Sequence, residues 1–169
     1  MTAPFLVPPV VHIEAIDRVE LNRWLVAWNH RMGAFKRPPY KIEAHHALFH
    51  SGTPVAVTAA SETVREVAGN TGIERTECVE LARLCAAGPH ICRPMLRLWR
   101  EFLFPAIAAA HARSCAVSYQ DRALHNGDIY RFDGWRKAGT GGGGGPDSRT
   151  GRPGRKMNIW VWPPHELTP

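Results

Sequence analysis

Five consecutive glycines, Gly141 to Gly145, closed by Pro146 and followed by Gly151 and Gly154, set the tightest limit on how this 169-residue chain folds. Glycine loses more backbone freedom on ordering than any other residue and packs nothing, so such a stretch holds neither a helix nor an interior strand. Residues 139–156 are therefore expected to form a flexible Gly/Arg-rich loop. The charge sits there as well. Arg131–Lys156 contains seven basic residues against two acidic ones, and so carries five of the six net positive charges of the chain. The remainder is close to neutral. Flexible arginines favour phosphate partners, and a solvated linker of biased composition is the competing reading.

Outside that segment the chain has the means to bury a core. Hydrophobic residues make up 44%, with 6 Trp, which argues against disorder and for one domain spanning 1–169. The apolar runs are too short and too interrupted to span a bilayer. No export signal is evident at Met1, so the cytoplasm is expected. Cys78, Cys85, Cys92 and Cys115 lack CxxC spacing and are expected as reduced thiols.

Periodicity supplies the element order. Pro9–Ile13 reads as a strand. Asp17 is placed to cap a helix running to about Met32 and closed by Gly33, with a linker at Lys36–Pro39. Ile42–Phe49 and Pro54–Ala60 form a hairpin turned by Ser51-Gly52-Thr53. Glu77–Cys85 alternates as a strand, and a Gly-Pro loop then leads to a helix opening at Pro94 and kinked at Pro105. A strand over Ser114–Tyr119, a short helix or turn over Asn126–Phe132, a break at Gly134-Trp135 and a last strand over Met157–Trp162 complete a mixed α/β domain.

A strand, a loop and a helix N-terminus together make a place for an anionic phosphate, and Ala86–Met95 has that form, with Arg93 able to add a charge-assisted contact. A plain connection is the rival reading. Further on, Tyr130-Arg131-Phe132-Asp133-Gly134-Trp135 follows the pattern Y-x-x-x-G-F/W. Together these resemble the GNAT N-acetyltransferase superfamily. More narrowly, Glu80-Leu81-Ala82-Arg83, Ser118-Tyr119-Gln120-Asp121 and His125-Asn126-Gly127-Asp128-Ile129-Tyr130 with Gly134-Trp135 resemble E-L-x-R, S-Y/F-x-D and H-x-G-x-I/L-Y-x-x-x-G-W of the Mom family of phage DNA-modification proteins. The match covers roughly the C-terminal half.

The resemblance implies a single-domain α/β fold of the GNAT kind, a mixed sheet flanked by helices, and an acyltransferase acting on an exocyclic amine of a DNA base, adenine N6 foremost. A GNAT enzyme acting on a small-molecule or protein amine, and a non-catalytic nucleic-acid-binding protein, are the alternatives. It implies acetyl-CoA or another acyl-CoA as donor. The usual loop Q/R-x-x-G-x-G/A is replaced here by Ala87-Gly88-Pro89-His90-Ile91-Cys92, which leaves the donor's identity open. By resemblance, Tyr130 protonates the departing thiolate, and Leu84, Cys85, Gly88, Cys92 and Arg93 hold the cofactor. Asp121 orients or deprotonates the amine, or caps the following turn. Glu80 is expected among the catalytic residues and Arg83 toward the substrate; three apart on a regular strand, they are expected on opposite faces, one toward the cleft and one bracing the sheet, with an ion pair within the fold as the rival reading. Ser118, Tyr119 and His125 are expected toward the substrate, and Arg149, Arg152, Arg155 and Lys156 toward DNA phosphates. A homodimer is one option for assembly. His45, His46 and His50 are read as surface histidines on a strand, with no metal site expected, and the cysteines as buried structural thiols rather than nucleophiles.

Overall fold

The computed structural model describes residues 10–38, 40–142, 145 and 154–163. A sheet of seven strands runs in the order β1-β2-β3-β4-β5-β7-β6: β1 Val11–Ala15, β2 Glu43–His50, β3 Thr53–Ser61, β4 Cys78–Ala86, β5 Cys115–Asp121, β6 Arg136–Gly142 and β7 Lys156–Trp162. Only β4 and β5 are parallel. Helix α1 (Arg18–Ala27) covers one face. Helices α2 (Cys92–Leu98), α3 (Phe104–His111) and α4 (Asp128–Arg131) cover the other. This is the mixed α/β sheet flanked by helices that the sequence predicts.

Local chemistry accounts for most boundaries. Asp17 caps α1 by accepting from the Glu20 N–H at 2.8 Å. The helix stops at Ala27 rather than Met32, because Asn29 takes a left-handed conformation at φ 52° and breaks the repeat. Ser51 and Gly52, both at positive φ, turn the β2–β3 hairpin. In the long helical segment the expected kink is a π-helical stretch, Trp99–Leu103. Pro105 has no N–H for the carbonyl four residues back, and a widened turn absorbs the mismatch.

One expectation is corrected. Residues 139–142 are not loop but the end of β6, which pairs with β7 at the sheet edge. An edge strand asks less of its side chains than an interior one, and here glycine is required by close approach. A Cβ on Gly139 would lie 2.4 Å from Asn70 Oδ1. The remainder of the expected loop lies mostly outside the described residues, Arg149 and Arg152 included.

The helix that carries Tyr130 is pinned by a buried ion pair. Arg100 bonds Asp133 through Nε at 2.7 Å and Nη2 at 3.2 Å, and Trp135 Nε1 donates to the same carboxylate. Both charges are almost fully buried, and without Asp133 the Arg100 guanidinium keeps only the exposed Glu101 as an ion-pair partner. Asp133→Ala is expected to cost about 3–5 kcal/mol in a denaturant melt, with Asp133→Asn costing less because it keeps the shape and one acceptor.

Candidate active site

The site begins where two strands part. The β4–β5 ladder consists of Cys78↔Cys115, Val79↔Ala116 and Glu80↔Val117, and then the strands diverge. Past that point the link is a side chain: Ser118 Oγ donates to the Leu81 carbonyl at 3.1 Å. A cleft of about 390 Å³ opens in the wedge.

A bulge in β4 decides what faces this cleft. Ala59 pairs with Arg83 but Ala60 with Leu81, so Ala82 is the extra residue. Val79 and Leu81 pack toward α3, whereas beyond the bulge Arg83 and Cys85 turn to the α1 face. Glu80 and Arg83 therefore share a face. The expectation that they lie on opposite faces is overturned by the one-residue slip. Arg37 bonds both oxygens of Glu80, at 2.8 and 2.5 Å, and Arg37 and Arg83 each lie over the Phe35 ring. Glu80 is thus held as a bracing ion pair and does not line the cleft.

Tyr130 forms the floor of the wedge on the helix side. Its ring stacks on Trp160 (5.6 Å) and meets Trp135 edge-on (5.5 Å), and its hydroxyl lies 2.8 Å from Ser118 Oγ. The Leu81 carbonyl only accepts, so Ser118 gives its single proton there and Tyr130 donates to Ser118. Burial pushes the Tyr130 pKa up, and the phenol stays protonated. Gly127 makes this approach possible, since a Cβ would come within 2.5 Å of the Trp160 ring. Gln120 holds the preceding loop: its Nε2 donates to the His125 carbonyl and its Oε1 accepts from Asn158 and Trp160.

On the α1 side, Asp121 is buried at the open end of β5. One oxygen accepts from Ala123 N–H at 3.0 Å, which is the turn-capping role. The other, Oδ2, has no hydrogen-bond partner among the described residues and lies 3.9 Å from Arg155 Nη1. Strand alternation sets Tyr119 on that face too, half-buried beneath Gly141. Outside the wedge a second cavity of about 740 Å³ is lined by Arg31, Arg122, Arg155 and Lys156 beside Asp121.

The structure thus gathers Arg83, Leu84, Cys92, Ser118, Tyr119, Asp121, His125, Tyr130 and Arg155 around one cleft. Gly88 and Arg93 do not line it, and Arg93 is exposed and lies over the Phe132 ring. The Cys85 side chain packs in the α1 core, not against the cleft. His45 is buried edge-on to Phe35, which corrects its assignment to the surface. Among the described residues no three His, Cys, Asp or Glu side chains gather as a metal set. Arg37, Gln120 and His30 were not anticipated. Only the last had a local signal, as a histidine just past a helix end.

No family model matches the chain, and no curated protein matches it. Solved structures do match. A putative acetyltransferase from Salmonella typhimurium, solved with its cofactor acetyl-CoA, shares 10% identity at a TM-score of 0.58 over 95% of this chain and 98% of that one. A probable acetyltransferase from Staphylococcus epidermidis shares 7% at a TM-score of 0.60 over 90% and 98%. An IAA acetyltransferase from Bacillus cereus shares 14% at 0.56 over 89% and 97%. The fold is therefore that of the GNAT N-acetyltransferases. The narrower resemblance to the phage DNA-modification family rests on the motif residues alone.

The thiols carry a prediction. Burial raises Cys78 to about 12 and Cys85 and Cys115 to about 11, and pushes Cys92 up as well. Raised pKa values keep these groups as unreactive thiols throughout the neutral range. Titration with a thiol-specific disulfide reagent at pH 8 is expected to be slow at Cys78, Cys85 and Cys115 in the native protein, with Cys92, half-buried at the cleft, reacting first, and to count four rapid thiols in denaturant. Rapid native labelling of Cys78, Cys85 or Cys115 would contradict their burial.

Proposed function

We propose that the chain is an acyl-CoA-dependent N-acyltransferase acting on a primary amine, with acetyl-CoA the first donor to test. The observation that carries this reading is the parting of β4 from β5. Past Leu81, the β5-facing edge of β4 has no ladder partner, and an extended amide chain can pair with those backbone groups. Leu84 and Cys92 border this edge, and no side chain caps the helix opening at Cys92, so the Cys92 and Arg93 N–H groups ahead of Pro94 are open to an anion. These features fit an acyl-CoA, with its amide-bearing arm in the wedge and its phosphates at the helix start. When bound, the cofactor supplies an acyl group activated as a thioester.

The chain's own residues serve the proton changes that such a transfer demands. An amine that becomes an amide loses a proton, and the leaving thiol gains one. Asp121 Oδ2 lies free at the acceptor side to hold the amine and take its proton. Tyr130 keeps a proton on the opposite side of the wedge, shared with Ser118. The two stand on opposite faces of the parted strands, which suits one group that takes a proton and one that gives it.

The test is thiol release from acetyl-CoA in the presence of an amine panel. Tyr130→Phe is expected to lower kcat by about 10²-fold with acetyl-CoA binding unchanged, and Asp121→Asn to lower kcat/KM for the amine by about 10²–10⁴-fold. Wild-type rates from both variants would remove these residues from the mechanism.

A nucleic-acid amine, foremost adenine N6, is the second reading, favoured by the four cations of the outer cavity. Here Arg31, Arg122, Arg155 and Lys156 would meet backbone phosphates. Duplex affinity is then expected to fall steeply with salt, and Arg155→Ala with Lys156→Ala to reduce the log–log slope by about 1.8. A salt-independent affinity would exclude it.

A further inference from the structure

Among the described residues Arg83 is a buried guanidinium with no carboxylate bonded to it. It is 7% exposed, its Nε has no hydrogen-bond partner, and its single bond among the described residues is from Nη1 to the Ala82 carbonyl. The nearby carboxylate that would neutralise it, Glu80, is engaged on both oxygens by Arg37. Asp121, across the parted strands, makes no bond to it. Burial, then Arg37 and Arg155, lower its pKa to about 10 against the opposing pull of Glu80. His30 is brought down to about 4 by burial and by Arg83 itself, so it is uncharged at neutral pH. A guanidinium that lines a cleft under these conditions has no ion-pair partner of its own among the described residues. It is placed to meet an anion, and its planar fork suits an oxyanion in particular.

The bulge at Ala82 gives this arginine its direction. Without the extra residue Arg83 would continue the Val79–Leu81 row toward α3. With it, Arg83 sits on the same sheet face as Asp121, one on each of the two parted strands, and both line the cleft. One carries an unpartnered buried guanidinium N–H and the other an unpartnered buried carboxylate oxygen. A ligand that satisfies both must present a cation and an anion together.

We propose that the acceptor is an amine that also bears an oxyanion group, carboxylate or phosphate, which Arg83 binds while Asp121 holds the amine. This rests on the acyltransferase reading for the word acceptor, but the anion site itself does not need turnover.

The first measurement therefore uses the anions alone. Inorganic phosphate and acetate, each against chloride at matched ionic strength, are titrated into the full chain with melting temperature and amide chemical shifts as readouts. At least one anion is expected to raise the wild-type melting temperature and shift the amides around Arg83. Affinity is expected to fall about 10- to 100-fold in Arg83→Met, with part of it kept in Arg83→Lys. Arg83→Met is also expected to melt no lower than wild type, because it replaces an unpaired buried charge by an apolar chain of similar length. A stronger response to phosphate assigns a phosphate-bearing acceptor, and a stronger response to acetate a carboxylate. No response in wild type, or the same response in Arg83→Met, overturns the proposal. So does a lower melting temperature in Arg83→Met with the anion response intact.

The second measurement compares ethanolamine, phosphoethanolamine and β-alanine as acceptors with acetyl-CoA. An anionic amine is expected to have the higher kcat/KM, and Arg83→Met to remove the difference. Equal use of charged and neutral amines by wild type overturns the proposal. No turnover with any amine, beside a wild-type anion response that Arg83→Met loses, supports the anion site and counts against the acyltransferase reading.

Discussion

The hydrogen bond from Ser118 to the Leu81 carbonyl is a small interaction on which the whole site depends. It stands just beyond the last backbone pair of β4 and β5. A further ladder bond there would have zipped the strands and closed the wedge. A hydroxyl instead holds them at side-chain distance, and its remaining lone pairs receive the Tyr130 proton. One residue thus fixes the width of the cleft and the orientation of the phenol. The Tyr130 ring has little freedom to compensate, since Trp160 and Trp135 occupy two of its sides.

The second constraint is the Ala82 bulge, which sorts charge between the two faces of the sheet. The helix side of the wedge is aromatic and apolar. The α1 side holds Glu80 with Arg37, then Arg83, then Asp121 with Arg155. Coulomb attraction alone would pair these groups fully, yet the pairing is lopsided. Arg37 saturates Glu80, whereas Arg83 and Asp121 Oδ2 keep unused hydrogen-bonding capacity in a buried setting. A fold selected only for stability would have paired or removed them. The braced pair and the unpaired groups lie on one face within a few residues, which separates what holds the strand from what faces the cleft.

Much of this was legible in the sequence because it is local. The Asp17 cap, the Ser51-Gly52 turn, the strand at Glu77–Cys85 and the short helix before Gly134-Trp135 each depend on residues within a few positions of one another. The cluster Ser118, Asp121 and Tyr130 was legible as a motif. What escaped is non-local or comes from slips of register. A bulge changes the face of every following side chain, and no alternation pattern over Glu80–Arg83 announces it. Arg37 lies 43 positions from Glu80 in a segment that reads as a linker. Gln120 looked like an ordinary strand residue, and three of its four bonds depend on β7 and the His125 loop.

The glycine run shows the same division. Its composition correctly excludes a helix and an interior strand, but entropy alone does not tell an edge strand from a loop. That depends on whether a neighbour approaches too closely for a Cβ, and at Gly139 the neighbour is the Asn70–Thr71 turn, from a distant part of the chain. Asn70 also accepts from the Thr140 N–H at 2.7 Å, so the turn supplies the outer partner that the edge strand lacks. With β6 anchored there and β7 inserted beside β5, β7 starts at Lys156 at the open end of the wedge, and strand order delivers Arg155 and Lys156 next to Asp121.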